Sequence, residues 1–445
     1  MPDLTFHPMN ILRTVPAFTA LLGTALAAAP SLPSALSLEE AFALARAGSP
    51  ILAQAGAGLD QARGQLAEAR AAIMPSIDAS AGYSVTDRDR LDGSGGGTTN
   101  NQAWSADVTS TWAVYTGGRA QAEYAARRRQ VDSATARALA AENDILLEVG
   151  EAYFAGLLAS RSIEVREETL RVLEEQLTLA KRRFEAGTGP SFDVLRAEVA
   201  LANARPPLVR ARNAYRIAID RLRTAMGAVA APGQDLAQVR LTSGWPSPSA
   251  PDSLTGAISR ALSARPELLA AERDLEAARD RVTLASGQRR PTVAVSAGYG
   301  IFSQRGSADL SETVDGWTAG VKVSVPLFDA GAISGRKQTA QASVRGFEAG
   351  LDLIRLNLEG EVRRAWYGFE ESAEIFATAD LVVRQAEESL RLANNRFQAG
   401  AATQLDVLQA QLELTTARTE EVTARHDLNV AALRLRRAIG APVAP

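Results

Sequence analysis

The chain has 445 residues, a formal net charge of -3 at pH 7 and 46% hydrophobic residues. That balance argues against a nucleic-acid binder, which carries a basic surplus. With no cysteine and only His7 and His426 as imidazoles, the chain has no disulfide framework, thiolate nucleophile or Cys-ligated zinc site.

In chain order, the first element is a leader. Arg13 precedes an apolar run over 15–26, and Ala25-Leu26-Ala27 supplies small residues for cleavage. This pattern predicts a secretory signal over 1–27, which would take His7 with it. No cysteine follows to accept a lipid. Past the leader no apolar run approaches the roughly eighteen residues of a membrane helix. Any crossing of a membrane must therefore be made by strands.

The rest of the chain repeats itself. Ser37, Pro50, Pro75 and Tyr83 match Ser253, Pro266, Pro291 and Tyr299 at an offset of 216. From Trp104 and Trp317 to Gly227 and Gly440 the offset is 213. The change falls in one loop, 92–101 in the first copy and 303–315 in the second. The predicted division is a first repeat over 28–230, a linker over 231–252 and a second repeat over 253–445. Each repeat opens with a helical segment, about 38–72 and 254–287, ended by Pro75 or Pro291.

Two period-2 stretches follow in each copy. Ile77, Ala79, Ala81, Tyr83 and Val85 alternate with Ser and Gly, and across the loop Trp104, Ala106, Val108, Ser110, Trp112 and Val114 resume the pattern. The second copy offers Val293 to Ile301 and Trp317 to Leu327 in the same phase. These are hairpins with strands of about ten residues, the length that crosses a bilayer when tilted. Tyr83, Trp104, Tyr299 and Trp317 stand near strand ends, as an interfacial aromatic girdle does. Four strands cannot close a barrel, and in lipid an open edge leaves unpaired backbone groups costing several kcal/mol each. At least two chains must share the barrel, since the smallest have about eight strands.

From each second strand a proline-free stretch runs over 119–186 or 332–399, a helix of about 100 Å at 1.5 Å per residue. Ile163, Leu170, Leu177 and Phe184 recur every seven residues, with Leu173 and Ala180 in the second seam position. Phe376, Val383, Leu390 and Phe397, with Ala379, Ala386 and Ala393, do the same in the second copy. Such a period supercoils antiparallel partners. The partners are return helices over 193–226 and 406–439, the first expected to kink or break at Pro206-Pro207. The hairpin tips are 183–197 (RFEAGTGPSFDVLRA) and 396–410 (RFQAGAATQLDVLQA), identical at eight of fifteen positions.

A leader, two copies of helix, strand, strand, long helix, tip and return helix, the Pro-Leu-Phe-Asp-Ala-Gly turn at 326–331 and the two tip motifs together resemble the TolC family of outer-membrane channel-tunnels. The likeness covers essentially the whole mature chain. It implies an α+β membrane protein in which each chain gives four strands to a homotrimeric twelve-stranded barrel, continued by an antiparallel α-helical coiled-coil tunnel. It also implies the outer membrane of a Gram-negative bacterium, extension into the periplasm, and docking onto a periplasmic adaptor and an inner-membrane pump of RND or ABC type.

By the same resemblance the adaptor-contact tips map onto Arg183, Phe184, Gly187, Thr188, Arg396, Phe397, Gly400 and Thr403. For both glycines an ordinary helix C-cap accounts equally well. Some members narrow the entrance with two acidic residues three apart on the second return helix. Asp406 matches the first of these, whereas the second is Gln409, leaving one acidic ring; Asp193 is the first-copy counterpart. An Asp in a first helical turn also simply complements the helix dipole.

The expected function is a passive exit duct for small solutes, driven by the pump through the adaptor, without catalytic residue, cofactor or metal. Residues 202–207 (ANARPP) resemble efflux-type members. A type I protein-secretion duct is the alternative. A periplasmic coiled-coil scaffold leaves the leader and the strands unexplained, and an enzyme would have to work with His426 and no local nucleophile.

Overall fold

A computed structural model describes residues 32–87, 101–229, 235–246, 248, 253–303 and 310–442. The expected leader with His7, residues 92–100 of the first loop, 304–309 of the second and parts of the linker lie outside the described residues. The chain begins with a short strand, β1 (Ala35–Leu36), then α1 (Leu38–Gly48) and α2 (Pro50–Ala71). The single helical segment expected over 38–72 is thus two helices. Pro50 is the reason: the residue before a proline is driven out of the helical region, and Ser49 is extended at φ -68°, ψ 120°. Arg265-Pro266 divides the second copy in the same way, at φ -73°, ψ 123°, into α5 (Leu254–Ala264) and α6 (Pro266–Gly287).

Strands β2 (Ser76–Val85) and β3 (Gln102–Tyr115) form the first hairpin. Helices α3 (Arg119–Glu185) and α4 (Ser191–Met226) follow, and β4 (Arg240–Leu241) then pairs in parallel with β1. The second hairpin is β5 (Thr292–Ser303) and β6 (Thr313–Ser324), followed by α7 (Ala332–Gln398) and α8 (Gln404–Ala438). Strand β6 begins inside the expected loop and stops before Pro326, which cannot donate to a ladder. The two long helices have 67 residues each.

The hairpins join into one antiparallel sheet of order β2-β3-β5-β6, so β2 and β6 each keep one unpaired edge. Tyr83 stands opposite Trp104, and Tyr299 opposite Trp317. These pairs are 62%, 52% and 78% exposed at Tyr83, Tyr299 and Trp317, and among the described residues nothing covers the apolar face. The other face is small and polar, with Ser80 Oγ donating to Asp107 Oδ1 at 2.6 Å. A bulge at Val114 shifts the β3–β5 register, bringing Tyr115 opposite Val293. Among the described residues no helix is long and apolar enough to cross a membrane.

Beside the sheet, α3 packs on α2 and on α6 of the other copy, so the repeats interlock. Gly117 and Gly287 make this possible: a Cβ on Gly117, at φ +69°, would lie 2.5 Å from the Gly287 carbonyl oxygen. Farther along, α3 coils with α4 and α7 with α8. Seam residues Leu173, Ala180 and Ala386 are buried, but Phe184, expected in the first seam, is half exposed. The helix ends there and its partner has already turned away.

A belt at mid-height carries the main core. Phe42, Tyr153, Phe154, Ile219, Leu222 and Met226 are almost fully buried around β1 and β4. Each such side chain contributes about 1.5–3 kcal/mol by leaving water. Part of the expected linker belongs to this belt. Tyr153 Oη donates to Leu36 O at 3.1 Å and accepts from Ser243 N at 3.0 Å, and Tyr215 Oη donates to Val239 O.

The second copy holds the belt with charge. Arg265, 3% exposed, reaches Glu267, Glu361 and the carbonyls of Arg437 and Ala438, and Arg437 adds Glu361, Glu267 and Asp144. Paired this way, the Glu267 carboxyl titrates below its usual range even though burial opposes the shift.

The expected break at Pro206-Pro207 does not occur, for α4 is one helix with both prolines inside it. Each proline removes one helical hydrogen bond, but the freed carbonyls belong to the exposed Ala202 and Asn203, where water can replace it. Buried Leu201 and Leu208 hold the helix against its neighbour on both sides of the defect.

Candidate functional site

The two tips lie side by side at the end of the coils. Each long helix stops at a left-handed glycine, Gly187 at φ +70° and Gly400 at φ +75°. The amides there bond backwards, Gly187 N to Phe184 O and Thr188 N to Arg183 O, and likewise Gly400 N to Phe397 O and Ala401 N to Arg396 O. This is a Schellman termination, which a Cβ would strain. Both glycines are exposed with nothing within 4 Å of an added Cβ, so the space around them is free for a partner.

Past the turn the copies differ. Thr403 begins α8 with a reciprocal cap: Thr403 N donates to Asp406 Oδ2 at 2.7 Å and Asp406 N to Thr403 Oγ1 at 3.3 Å. The backbone bond from Thr403 holds the Asp406 carboxyl below the ordinary aspartate range. In the first copy Pro190 occupies the cap position. It has neither hydroxyl nor N–H, so Asp193 makes no such cap, contrary to the capping role its sequence position suggests. Both return helices also start two residues before their Asp, at Ser191 and Gln404.

The tips touch through Arg183, whose guanidinium lies 4.3 Å from the centre of the Phe397 ring. A cavity of about 80 Å³ beneath this contact is lined by both tips, including Asp193 and Gln404. Arg196 similarly covers Phe192. Phe184, Arg396 and Thr188 stay at the surface, and Gln409, exposed, donates to Glu413 at 3.3 Å. Asp406 and Gln409 thus share one face of α8, the first occupied by its cap and the second by Glu413.

At the far end, the girdle residues cluster as two cross-strand pairs, Tyr83–Trp104 and Tyr299–Trp317. Trp104 Nε1 donates to Leu310 O at 3.1 Å, tying a rim residue to the second hairpin. Sequence reasoning missed the other rim. Trp112 and Tyr115 lie at the opposite end of β3, and Leu327, 94% exposed, and Phe328, 89% exposed, follow β6 at the same end of the sheet. The signal was present: two apolar residues stand in front of a cap, where Asp329 accepts from the amides of Ile333 and Gly331. Among the described residues no group of three or more His, Asp or Glu side chains could hold a metal. Among the described residues His426 meets Asp427, at 2.8 Å, and packs perpendicular to the Trp245 ring.

A family described as outer membrane efflux protein matches residues 42–228 and again 257–441, one segment on each repeat. The chain belongs to the outer membrane efflux protein family. Protein CyaE of Bordetella pertussis is 29% identical over 410 residues, covering 91% of this chain and 84% of its own. Outer membrane protein TolC of Vibrio cholerae is 26% identical, covering 91% and 90%. The proteases secretion protein PrtF of Dickeya chrysanthemi is 26% identical, covering 91% and 88%. The fold matches the Campylobacter jejuni CmeC outer membrane channel with a TM-score of 0.76 at 16% identity, over 91% of this chain and 85% of that one. CusC matches with a TM-score of 0.75 at 18% identity, over 91% and 92%. This member of the family is accordingly an outer-membrane efflux protein.

Proposed function

We propose that three copies close their sheets into one twelve-stranded barrel and their coils into a tunnel, forming a passive exit duct for small solutes. The carrying observation is the unclosed sheet: among the described residues it has four strands, an apolar face with nothing over it and two unpaired edges. In lipid such edges must pair. The tips, with their free glycine turns and exposed Phe184, Arg396 and Thr403, are the surface offered to a periplasmic adaptor. An inner-membrane pump behind that adaptor supplies the energy, and Asp193 and Asp406 face the entrance. In this reading Asp406 is a cap first and contributes to a pore ring only as a fixed carboxylate.

The internal seam between copies, β3 to β5, is the template for the seam between chains. Applying the repeat offsets to the Val108–Tyr299 pair puts Val321 of one chain opposite Tyr83 of the next. The cysteine-free chain makes the test clean. A Val321→Cys, Tyr83→Cys double variant treated with a short bismaleimide in membranes should yield a ladder ending at three chains. A ladder that stops at two, or no ladder, would overturn the trimer.

Protein secretion is the second reading, favoured by the likeness to PrtF, whose name states protease secretion. Photo-crosslinking from Thr403 in cells separates the two. Capture of an adaptor of a proton-driven pump supports efflux, and capture of an adaptor of an ATP-driven exporter supports secretion.

A further inference from the structure

The duplication makes two seams comparable. One lies inside the chain, where α3 of the first copy packs on α6 and α8 of the second. The other lies between chains, and its facing residues follow from the same offsets that place Val321 against Tyr83. Among the described residues four ion pairs cross the seam inside the chain: Arg129–Glu276, Arg137–Asp274, Arg434–Glu151 and Arg437–Asp144. Carried to the seam between chains, they become Ala342 with Asp60, Gly350 with Gly58, Arg221 with Arg364, and Thr224 with Asn357. No pairing of opposite charges survives, and at one position like charges face each other.

Inside the chain Arg434 Nε meets Glu151 Oε1 at 2.7 Å. The backbone that brings a guanidinium to a carboxylate there brings two guanidinium groups together between chains. Arg221 and Arg364 are both exposed, and neither has an ion-pair partner among the described residues. The carboxylates beside them on their own helices are engaged, Asp220 by Arg223 and Glu361 by Arg265 and Arg437. One turn away, Thr224 and Asn357 put a hydroxyl and an amide where the inner seam has Arg437 and Asp144. The place also lies far from the membrane: from Ala332 at the start of α7 to Arg364 is 32 residues, about 48 Å at 1.5 Å per residue, out of reach of a lipid headgroup.

We infer that each seam between chains binds a small oxyanion of the phosphate or sulfate class, held between Arg221 of one chain and Arg364 of the next. Left bare, facing arginines oppose assembly. A tetrahedral oxyanion accepts from both guanidinium forks at once, whereas chloride has no second oxygen for a fork to grip. The ion thus does between chains what the Glu151 carboxylate does within one. The inference rests on the trimer proposed above, which gives three such sites.

The full-length protein in mild detergent is held at one elevated temperature and the surviving trimer is counted on native gels, with inorganic phosphate exchanged for chloride at constant ionic strength. A seam that holds the ion must lose it before parting, so phosphate at ten times its dissociation constant should lengthen the half-life of the trimer about tenfold. Arg364→Glu rebuilds between chains the pairing of Arg434 with Glu151. Its trimer should have the longer half-life without phosphate and gain nothing from adding it. Arg221→Glu should behave likewise, and the two substitutions combined, which restore like charges, should lose both the gain and the phosphate response. A half-life that phosphate leaves unchanged in the unsubstituted chain, or lengthens equally in Arg364→Glu and Arg221→Glu, overturns the inference. The Val321→Cys, Tyr83→Cys ladder tells the two failures apart. A ladder to three without a selective phosphate effect refutes this site alone, and a ladder that stops short refutes the trimer and the site with it.

Discussion

The two copies share a backbone plan and each builds an apolar cluster, but the second adds buried charge to it. In the first, the belt is apolar: Tyr153 and Phe154 of α3 meet Phe42, Ile219 and Met226. In the second, Trp366 and Tyr367 stand at the matching positions and are less enclosed, while Arg265 replaces Ser49 and Arg437 replaces Thr224. The tips differ in the opposite sense, with Pro190 capping nothing and Thr403 forming a full capping box. A duplicated fold thus keeps its geometry while each copy finds its own way to satisfy the same helix ends. The lesson is that backbone positions are shared and side-chain solutions are not.

This contrast can be broken most sharply at Arg265. Arg265→Ala leaves two helix-end carbonyls without their donor and Glu267 and Glu361 with Arg437 alone, and should cost about 3–5 kcal/mol, whereas Ser49→Ala at the matching site should cost under about 1 kcal/mol. Comparative thermal melts in nanodiscs measure both, and equal losses would dissolve the distinction. Next in size is Tyr153. Truncation to Ala should cost about 3–5 kcal/mol, and Phe, which removes only the bonds to Leu36 and Ser243, about 1–2 kcal/mol. Trp366→Ala should cost less than Tyr153→Ala by the same assay.

The tips offer a smaller, reversible test. Pro190→Thr should install in the first copy the cap that Thr403 and Asp406 make in the second, slowing amide exchange over 191–195 about fivefold. Thr403→Ala should speed exchange over 404–408 by a similar factor. The smallest effect is on pH. The Asp406 carboxyl titrates low in the folded chain, so its contribution is present above the ordinary aspartate pKa of about 4 and is lost as pH falls through the lowered value. The protection factor at the second tip, exchange corrected for its intrinsic pH dependence, should therefore fall on acidification while that at the first tip stays level, and Thr403→Ala should abolish the difference.

Much of this was legible because the repeat supplied two readings of every element. The alternation of Ile77 to Val85 with Ser, Asp and Gly marks a strand with one apolar face, and the seven-residue spacing of Phe376, Val383, Leu390 and Phe397 marks a helical seam; both are local properties of the chain. What escaped depended on neighbours. The split at Ser49-Pro50 needed the recognition that proline can begin a helix as well as end one. The continuity of α4 across Pro206-Pro207 depended on Leu201 and Leu208 being buried on either side, and that is tertiary information. At the tips the glycine terminations were legible. The unequal caps were half visible, since Thr403 and Asp406 stand three apart and Pro190 does not, while the Arg183–Phe397 contact required both hairpins in place.

The belt and the tips are joined by the paired helices α3–α4 and α7–α8, and α4 spans that distance with 36 residues, about 54 Å at 1.5 Å per residue. Treated as a lever, it multiplies small angles: a tilt of about 5° at the belt carries a tip sideways by about 5 Å over that reach. The swing of the far end is then governed by stiffness at the fulcrum. The Arg265 and Tyr153 clusters, remote from any opening, act mechanically as the clamp that sets its span.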